Sequence, residues 1–146
     1  MNQTSICIML VDDNRDDNFF HERAIKKNNP ATIVVSKSTA LEALEYLRSN
    51  RAEDRHPDLI FLDINMPGVN GWEFLEEYNR LDRELQSRAV VIMLTTSSNP
   101  DDVAKAKVWP CVSEYRIKPL THDVVKELIA KYFHGYGLEK GAVLAR

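Results

Sequence analysis

Short apolar runs rich in β-branched residues alternate along the chain with segments whose apolar residues have helical spacing. Four strong runs lie at residues 6–11, 33–35, 59–62 and 90–94, and a weaker run lies at 112–117. Runs this short and continuous predict strands that are buried on both faces, and the weaker run predicts a fifth strand at an edge. With the helical segments between and after them, the predicted order is βαβαβαβαβα, which contains five helices.

This alternation limits the fold to an α/β architecture. Strands joined by right-handed helical crossovers form one parallel sheet with helices on both faces. Five such units predict a flavodoxin-like, doubly wound five-stranded parallel sheet in the order 2-1-3-4-5, in which ligands bind beyond the carboxyl ends of the strands. We expect one domain over residues 5–134 and a short C-terminal tail, 135–146, that leaves no room for an effector domain.

Charge and cysteine content argue against several classes of function. The 146 residues carry a formal net charge of -3 and no basic stripe, so we expect no nucleic-acid partner. No basic segment precedes the first apolar run, so we expect no signal peptide, no membrane association and a cytoplasmic protein. Cys7 and Cys111 lack metal-ligand spacing and predict two buried thiols.

Polar residues stand at the ends of four predicted strands. Asp12 and Asp13 follow the first strand and Asp63 follows the third, while Thr95 ends the fourth and Lys118 follows the fifth. In the order 2-1-3-4-5 these four strands are neighbours, so the five side chains are expected to converge on one rim. Taken singly, each has an ordinary explanation, such as a helix cap, a solvated charge or a strand residue. Their conjunction predicts a functional site.

The chemistry of this set favours a divalent cation and phosphoryl transfer. Three clustered carboxylates repel one another and need a counter-charge. Hard oxygen ligands without thiolates or clustered histidines favour Mg²⁺ or Mn²⁺. A carboxylate beside a divalent ion and an ammonium group can attack a phosphoryl group in line, and the product is an aspartyl phosphate.

The motifs around these residues resemble those of response regulator receiver domains, the phospho-accepting modules of two-component signalling. The resemblance covers about residues 5–133 and is that of a CheY-like, stand-alone receiver. It rests on LVDDN at 10–14, LIFLDINMPGVNGWEFL at 59–75, VIMLTTS at 91–97 and YRIKPL at 115–120. A receiver of this kind catalyses only its own phosphorylation and dephosphorylation, so no separate substrate is expected.

The resemblance implies a role for each residue of the acidic set. Asp63 corresponds to the phosphoacceptor, and Asp12 and Asp13 correspond to the acidic pair that holds the metal. The backbone carbonyl of Asn65 would be a further metal ligand beside the Asp63 carboxylate. The implied cofactor is Mg²⁺, with Mn²⁺ as an alternative.

The resemblance also implies how the charge on the acceptor is sensed. Lys118 would contact the phosphoryl group, and Pro119 would hold its loop, often through a cis peptide. Thr95 corresponds to the switch hydroxyl and Tyr115 to its aromatic partner. Pro67 would help to turn the chain after the acceptor.

The partners that the resemblance implies are proteins. A sensor histidine kinase or a phosphotransfer protein would supply the phosphoryl group, and the surface of the fourth helix, fifth strand and fifth helix would bind an unknown downstream protein or a second copy of the chain. The segment MLTTSSNPDDVAKAK at 93–107 resembles stand-alone receivers associated with phytochrome-type or other hybrid kinases.

Two other hypotheses are compatible with parts of the pattern. A haloacid-dehalogenase-type phosphatase also uses an aspartyl phosphate and Mg²⁺, but it requires a second aspartate two positions after the nucleophile, where this chain has Asn65. A purely structural interaction module would have the fold without the reaction, and the complete acidic set together with Lys118 argues against it.

Overall fold

A computed structural model describes residues 5–49, 51, 55–66, 68–86 and 89–133. Its five parallel strands form one sheet in the order β2-β1-β3-β4-β5, as predicted. The strands are β1 (Cys7–Val11), β2 (Ile33–Lys37), β3 (Leu59–Leu62), β4 (Val90–Thr95) and β5 (Val112–Ile117). The predicted domain end at 134, the tail 135–146 and Pro67 lie outside the described residues.

Six helices are present in the described part of the chain, one more than the sequence predicts. They are α1 (Arg15–Asn28), α2 (Ala40–Arg48), α3 (Gly71–Tyr78), α4 (Arg83–Gln86), α5 (Pro100–Lys107) and α6 (His122–Tyr132). The additional helix, α4, has four residues, none of them buried. It therefore has no apolar face, and hydrophobic periodicity could not predict it. None of these helices combines the length and the apolar character that a membrane crossing requires.

Side-chain caps set where most of the helices begin. The Asn14 side chain accepts a hydrogen bond from the Asp17 amide at the start of α1, and Asn70 forms a reciprocal capping box with Glu73 at the start of α3. Asn99 caps α5, with Pro100 in the first turn. These caps end each loop above the sheet at a defined residue.

The core lies on both faces of the sheet. Successive residues of β1 point to opposite faces, so Met9 packs with α2 and α3 while Ile8 packs with α1 and α6. β1 and β3 are buried along their whole length. The central strands therefore hold the residues that follow them on a rigid support.

The prediction that the first four strands are buried on both faces is wrong for β2. Its residues are half-buried or exposed, and Ile33 is 40% exposed. β2 lies at an edge of the sheet, so only one neighbouring strand covers it, and its short apolar run is typical of either environment. β5 is the opposite edge, as predicted.

Of the two cysteines, Cys7 is buried as predicted, but Cys111 is only half-buried. Burial raises the pKa of the Cys7 thiol to about 11, so this thiol stays protonated at neutral pH.

Candidate functional site

Backbone hydrogen bonds at the carboxyl ends of the strands hold the predicted site residues on one rim. The Asp63 amide donates to the Val11 carbonyl at 3.0 Å, and the Lys118 amide donates to the Thr95 carbonyl at 2.8 Å. The Asp12 amide is held in the same way by the last residue of β2, at 3.1 Å. These bonds continue the parallel ladders by one residue, so the side chains are positioned by the sheet itself.

The structure brings the three predicted carboxylates together. Asp12, Asp13 and Asp63 each offer one carboxylate oxygen, and these three oxygens lie within 4.8 Å of one another. Asp12 and Asp63 are buried, whereas Asp13 is exposed. Three hard carboxylate oxygens, one of them on an exposed side chain, suit Mg²⁺ or Mn²⁺, which keep several water ligands.

The environment of Asp63 disfavours its ionised form. Burial has the largest effect and the Asp12 charge adds to it, so the pKa of Asp63 rises to about 6. The Lys118 charge and hydrogen bonds from the Thr95 hydroxyl and the Asn65 backbone lower the pKa but do not offset the rise. Asp63 is thus a carboxylate whose negative charge is only partly compensated by the protein.

Lys118 lies in the acidic rim but is not held by Asp63. Its Nζ atom donates to Asp12 Oδ2 at 2.6 Å and to Asp17 Oδ2 at 2.8 Å, and the nearest Asp63 oxygen is 3.8 Å away. Burial lowers the pKa of Lys118. Its hydrogen bonds to Asp12 and Asp17 and the charges of Asp12 and Asp63 raise the pKa by more than burial lowers it, so the net shift is upward. The ammonium therefore stays charged. The Lys118–Pro119 peptide is cis, as the resemblance implies.

Asp17 is a member of this rim that the sequence analysis missed. It lies in the first turn of α1, where an acidic residue is readily explained by the helix dipole. Its contact with Lys118 joins residues 101 positions apart. Its only sequence signal was a carboxylate one helical turn after Asp13, and that signal is weak.

Thr95 and Tyr115 are linked through a residue between them, Ser97. Thr95 is fully buried at the end of β4, and the Ser97 amide donates to its hydroxyl at 3.4 Å. The Tyr115 hydroxyl donates to the Ser97 carbonyl at 2.7 Å. The Ser97 hydroxyl contacts Asp102 Oδ2, in the first turn of α5, at 2.6 Å. Ser97 thus contacts Thr95, Tyr115 on β5 and Asp102 on α5.

The turn after Asp63 needs glycine at two places. Gly68 has a φ of 76°, a conformation that is costly for other residues. Gly71 donates its amide to the Ile64 carbonyl at 2.9 Å, and a Cβ on Gly71 would lie 2.5 Å from the Asp63 carbonyl oxygen. The backbone of α3 thus packs directly against the backbone of the predicted acceptor.

The surface of α5, β5 and α6 combines exposed apolar side chains with ion pairs. Val108 is 73% exposed and Ile117 is 46% exposed. Arg116 on β5 pairs with Glu127 on α6. Trp109 is half-buried and packs against the core. α5, the first element of this surface, begins at Pro100, five positions after Thr95.

Comparison with known proteins identifies relatives of one kind. Residues 8–130 match the family model described as response regulator receiver domain. The probable methanogenesis regulatory protein FilR2 of Methanothrix harundinacea is 32% identical over 139 residues, which are 92% of this chain and 87% of FilR2. The nitrate/nitrite response regulator NarL of Escherichia coli K12 is 33% identical over 105 residues, and the match covers 72% of this chain and 44% of NarL.

Solved structures agree with these matches. The phosphorylated cyanobacterial phytochrome response regulator RcpA has a TM-score of 0.76 and 31% identity, and the match covers 88% of this chain and 94% of RcpA. The Mn²⁺-bound form of the response regulator Rcp1 has a TM-score of 0.65 and 26% identity, with coverage of 88% and 94%. The five-stranded parallel sheet described above matches the fold of solved receiver structures that resemble this chain.

Proposed function

Because the chain belongs to the response regulator receiver domain family, we propose that it is a phospho-accepting switch whose acceptor is Asp63. Receiver domains are signalling modules of two-component systems. The observation that carries the proposal is the convergence of Asp12, Asp13 and Asp63 within 4.8 Å beside the Lys118 ammonium. The phosphorylated state in which RcpA was solved supports the same chemistry for this chain.

We assign a divalent cation to the three carboxylates, with the Asn65 backbone carbonyl as a further ligand. The donors fit such an ion because all are hard oxygen atoms and because burial, and after it the Asp12 charge, raises the pKa of Asp63 and so disfavours an ionised carboxylate that a cation would stabilise. Mg²⁺ is the expected ion, and the Mn²⁺-bound form of Rcp1 supports Mn²⁺ as an alternative. When bound, the ion would neutralise charge on the phosphoryl oxygens.

In the proposed reaction, an Asp63 carboxylate oxygen attacks the phosphorus of a donor. The new oxygen–phosphorus bond forms as the bond to the leaving group breaks, and the leaving group departs with the electron pair. The leaving group is imidazole from a phosphohistidine or acetate from acetyl phosphate. Asp63 must be ionised to attack, and with a pKa of about 6 its ionised form is available at pH 7. Lys118 would pair with the transferred group through charge-assisted hydrogen bonds.

The proposed output surface is formed by α5, β5 and α6. Because Asp63 gives up its own carboxylate charge, phosphorylation adds roughly one negative charge together with new acceptor oxygens, which would draw the Thr95 hydroxyl toward Asp63. Thr95 is linked to Tyr115 and α5 through Ser97, so this movement would reach the surface. α5 has one buried residue, Ala106, and can therefore shift at low cost.

We propose protein partners at both steps. A sensor histidine kinase or a phosphotransfer protein supplies the phosphoryl group, and a downstream protein or a second copy of the chain binds the output surface. The similarity to RcpA, a phytochrome response regulator, favours a kinase of the phytochrome type. The cytoplasmic location expected from the sequence stays a prediction.

Acetyl phosphate labelling tests the acceptor. The protein is incubated with Mg²⁺ and acetyl phosphate, and its intact mass is measured for wild type, Asp63→Asn and Asp82→Asn, where Asp82 is an exposed aspartate away from the rim. We expect one added phosphoryl group in wild type and in Asp82→Asn, and none in Asp63→Asn. Labelling that survives Asp63→Asn contradicts the assignment. Sustained hydrolysis of phosphate esters would instead favour a phosphatase.

A further inference from the structure

The Lys118 ammonium is held by two carboxylates, and one of them lies outside the proposed cation site. An ammonium group has three N–H donors, and two of them point to Asp12 and Asp17. Asp17 is not one of the three carboxylates that lie within 4.8 Å of one another. A cation bound by Asp12 would compete with Lys118 for that carboxylate and would leave Asp17 as the partner of the ammonium.

The contact with Asp17 holds the Lys118 ammonium on the side of the rim that faces α1, away from Asp63. Asp17 lies on α1 and is within hydrogen-bond distance of Lys118 Nζ. The nearest Asp63 oxygen is 3.8 Å from Lys118 Nζ, beyond hydrogen-bond distance. The Lys118 side chain is 9% exposed, so its Nζ has few alternative partners in water. The ammonium has one N–H donor beyond those to Asp12 and Asp17, so a phosphoryl group on Asp63 that draws Lys118 closer, or takes more than this one donor, must weaken a contact that Lys118 already has.

A simpler explanation of Asp17 is that it stabilises the N-terminal end of α1. Asp16 is equally placed for that role, since both residues are acidic and lie in the first turn. The two differ in surroundings. Asp16 is exposed, and within the described residues the carboxylates within 4.0 Å of Lys118 are those of Asp12, Asp17 and Asp63. Helix stabilisation therefore does not account for the contact with Lys118.

We propose that Asp17 is a positioning residue that holds the Lys118 ammonium on the α1 side of the rim and competes for it with the phosphoryl group on Asp63. This inference rests on the proposed function of Asp63. It makes Asp17 a restraint on the phosphorylated state, because the energy of its ion pair is lost whenever Lys118 moves to the phosphoryl group.

Binding of beryllofluoride, a phosphoryl mimic, tests the competition. Wild type, Asp17→Asn, Asp17→Glu and Asp16→Asn are titrated with beryllofluoride in saturating Mg²⁺, and the bound fraction is measured by fluorine NMR. We expect Asp17→Asn to bind roughly two- to fivefold more tightly than wild type, the range for one partly exposed ion pair. Asp16→Asn controls for the net charge and the helix dipole and should bind like wild type. Asp17→Glu keeps the carboxylate and should bind much closer to wild type than Asp17→Asn does.

The predicted gain of affinity separates competition from a structural role, because loosening the site would weaken binding. Thermal unfolding of each variant verifies that it is folded, and Asp17→Ser provides a second uncharged side chain if Asp17→Asn is not. If Asp17→Asn binds beryllofluoride no more tightly than Asp16→Asn does, the proposed competition is wrong. Binding of beryllofluoride by wild type would in that case still support the function of Asp63. Absence of both beryllofluoride binding and acetyl phosphate labelling in wild type overturns both proposals.

Discussion

Replacing the predicted acceptor is expected to stabilise the fold, although it removes the residue on which function depends. The Asp63 carboxylate is buried and close to Asp12, and its pKa rises from 3.8 to about 6. A raised carboxylate pKa means that the folded state binds the proton more tightly than the unfolded state does. Stability therefore falls as the pH rises through the interval between these two values.

The magnitude follows from the same pKa. At about 1.4 kcal/mol for each pKa unit, keeping Asp63 ionised in the folded protein costs about 3 kcal/mol once the pH is above 6. Asn has nearly the same shape and does not titrate. We therefore expect Asp63→Asn to raise the free energy of unfolding by up to about 3 kcal/mol at pH 7.5, and by much less near pH 4.

Urea unfolding at pH 4, 5.5 and 7.5 in the presence of EDTA measures this difference. Asp82→Asn is the control, because that aspartate is exposed and its replacement should change stability by less than about 0.5 kcal/mol at each pH. Added Mg²⁺ should stabilise wild type more than Asp63→Asn and narrow the gap, because a cation that binds the folded state stabilises it by mass action. A variant no more stable than wild type at pH 7.5, or a gap that does not depend on pH, would refute this account of the rim.

Three further substitutions test other parts of the site. Asp13→Ala removes a proposed metal ligand that is exposed, so the Mg²⁺ affinity measured by titration should fall roughly tenfold. The midpoint of urea unfolding should stay unchanged. An unaltered Mg²⁺ affinity would exclude Asp13 from the site. Thr95→Ala should still be labelled by acetyl phosphate. Adding beryllofluoride should change the affinity for the partner or for a second copy at least roughly fivefold in wild type, and much less in Thr95→Ala. Thr96→Ala, at an exposed position, is the matched control, and equal changes in both variants would rule out Thr95 as the link between Asp63 and the output surface. Gly71→Ala should lower the free energy of unfolding by about 2 kcal/mol or more, because the added Cβ would clash with backbone atoms. Gly68→Ala has open space around its Cβ and should lower it by only about 1 kcal/mol, because of the positive φ at this position. Equal losses of stability in the two variants would contradict the packing argument.

The fold could be predicted because its determinants are local. The β-branched runs and the helical spacing between them are properties of consecutive residues, and few topologies accommodate their alternation. The prediction is less accurate where the local sequence pattern does not match the environment of the segment in the folded protein. β2 has the composition of a buried strand but lies at the edge, and α4 has no apolar face to indicate it.

The candidate site was partly predictable for a related reason. The end of a strand is visible in the sequence, and the rule that parallel strands present their carboxyl ends at one edge was enough to expect Asp12, Asp63 and Lys118 on one rim. Their roles as metal ligand, acceptor and phosphoryl contact stay predictions until they are measured.

What the sequence by itself determined is the order of the strands, and with it the strand-end side chains that share the rim. Only the tertiary structure decided which of those side chains touch. Lys118 lies within hydrogen-bond distance of Asp12 and of Asp17, which no strand end indicates, but not of Asp63. The Tyr115 hydroxyl contacts the Ser97 backbone. The physical reason is that contacts, burial and the pKa of a carboxylate depend on distances of a few ångströms between residues far apart in the chain, and these distances are set by the packing of the whole domain.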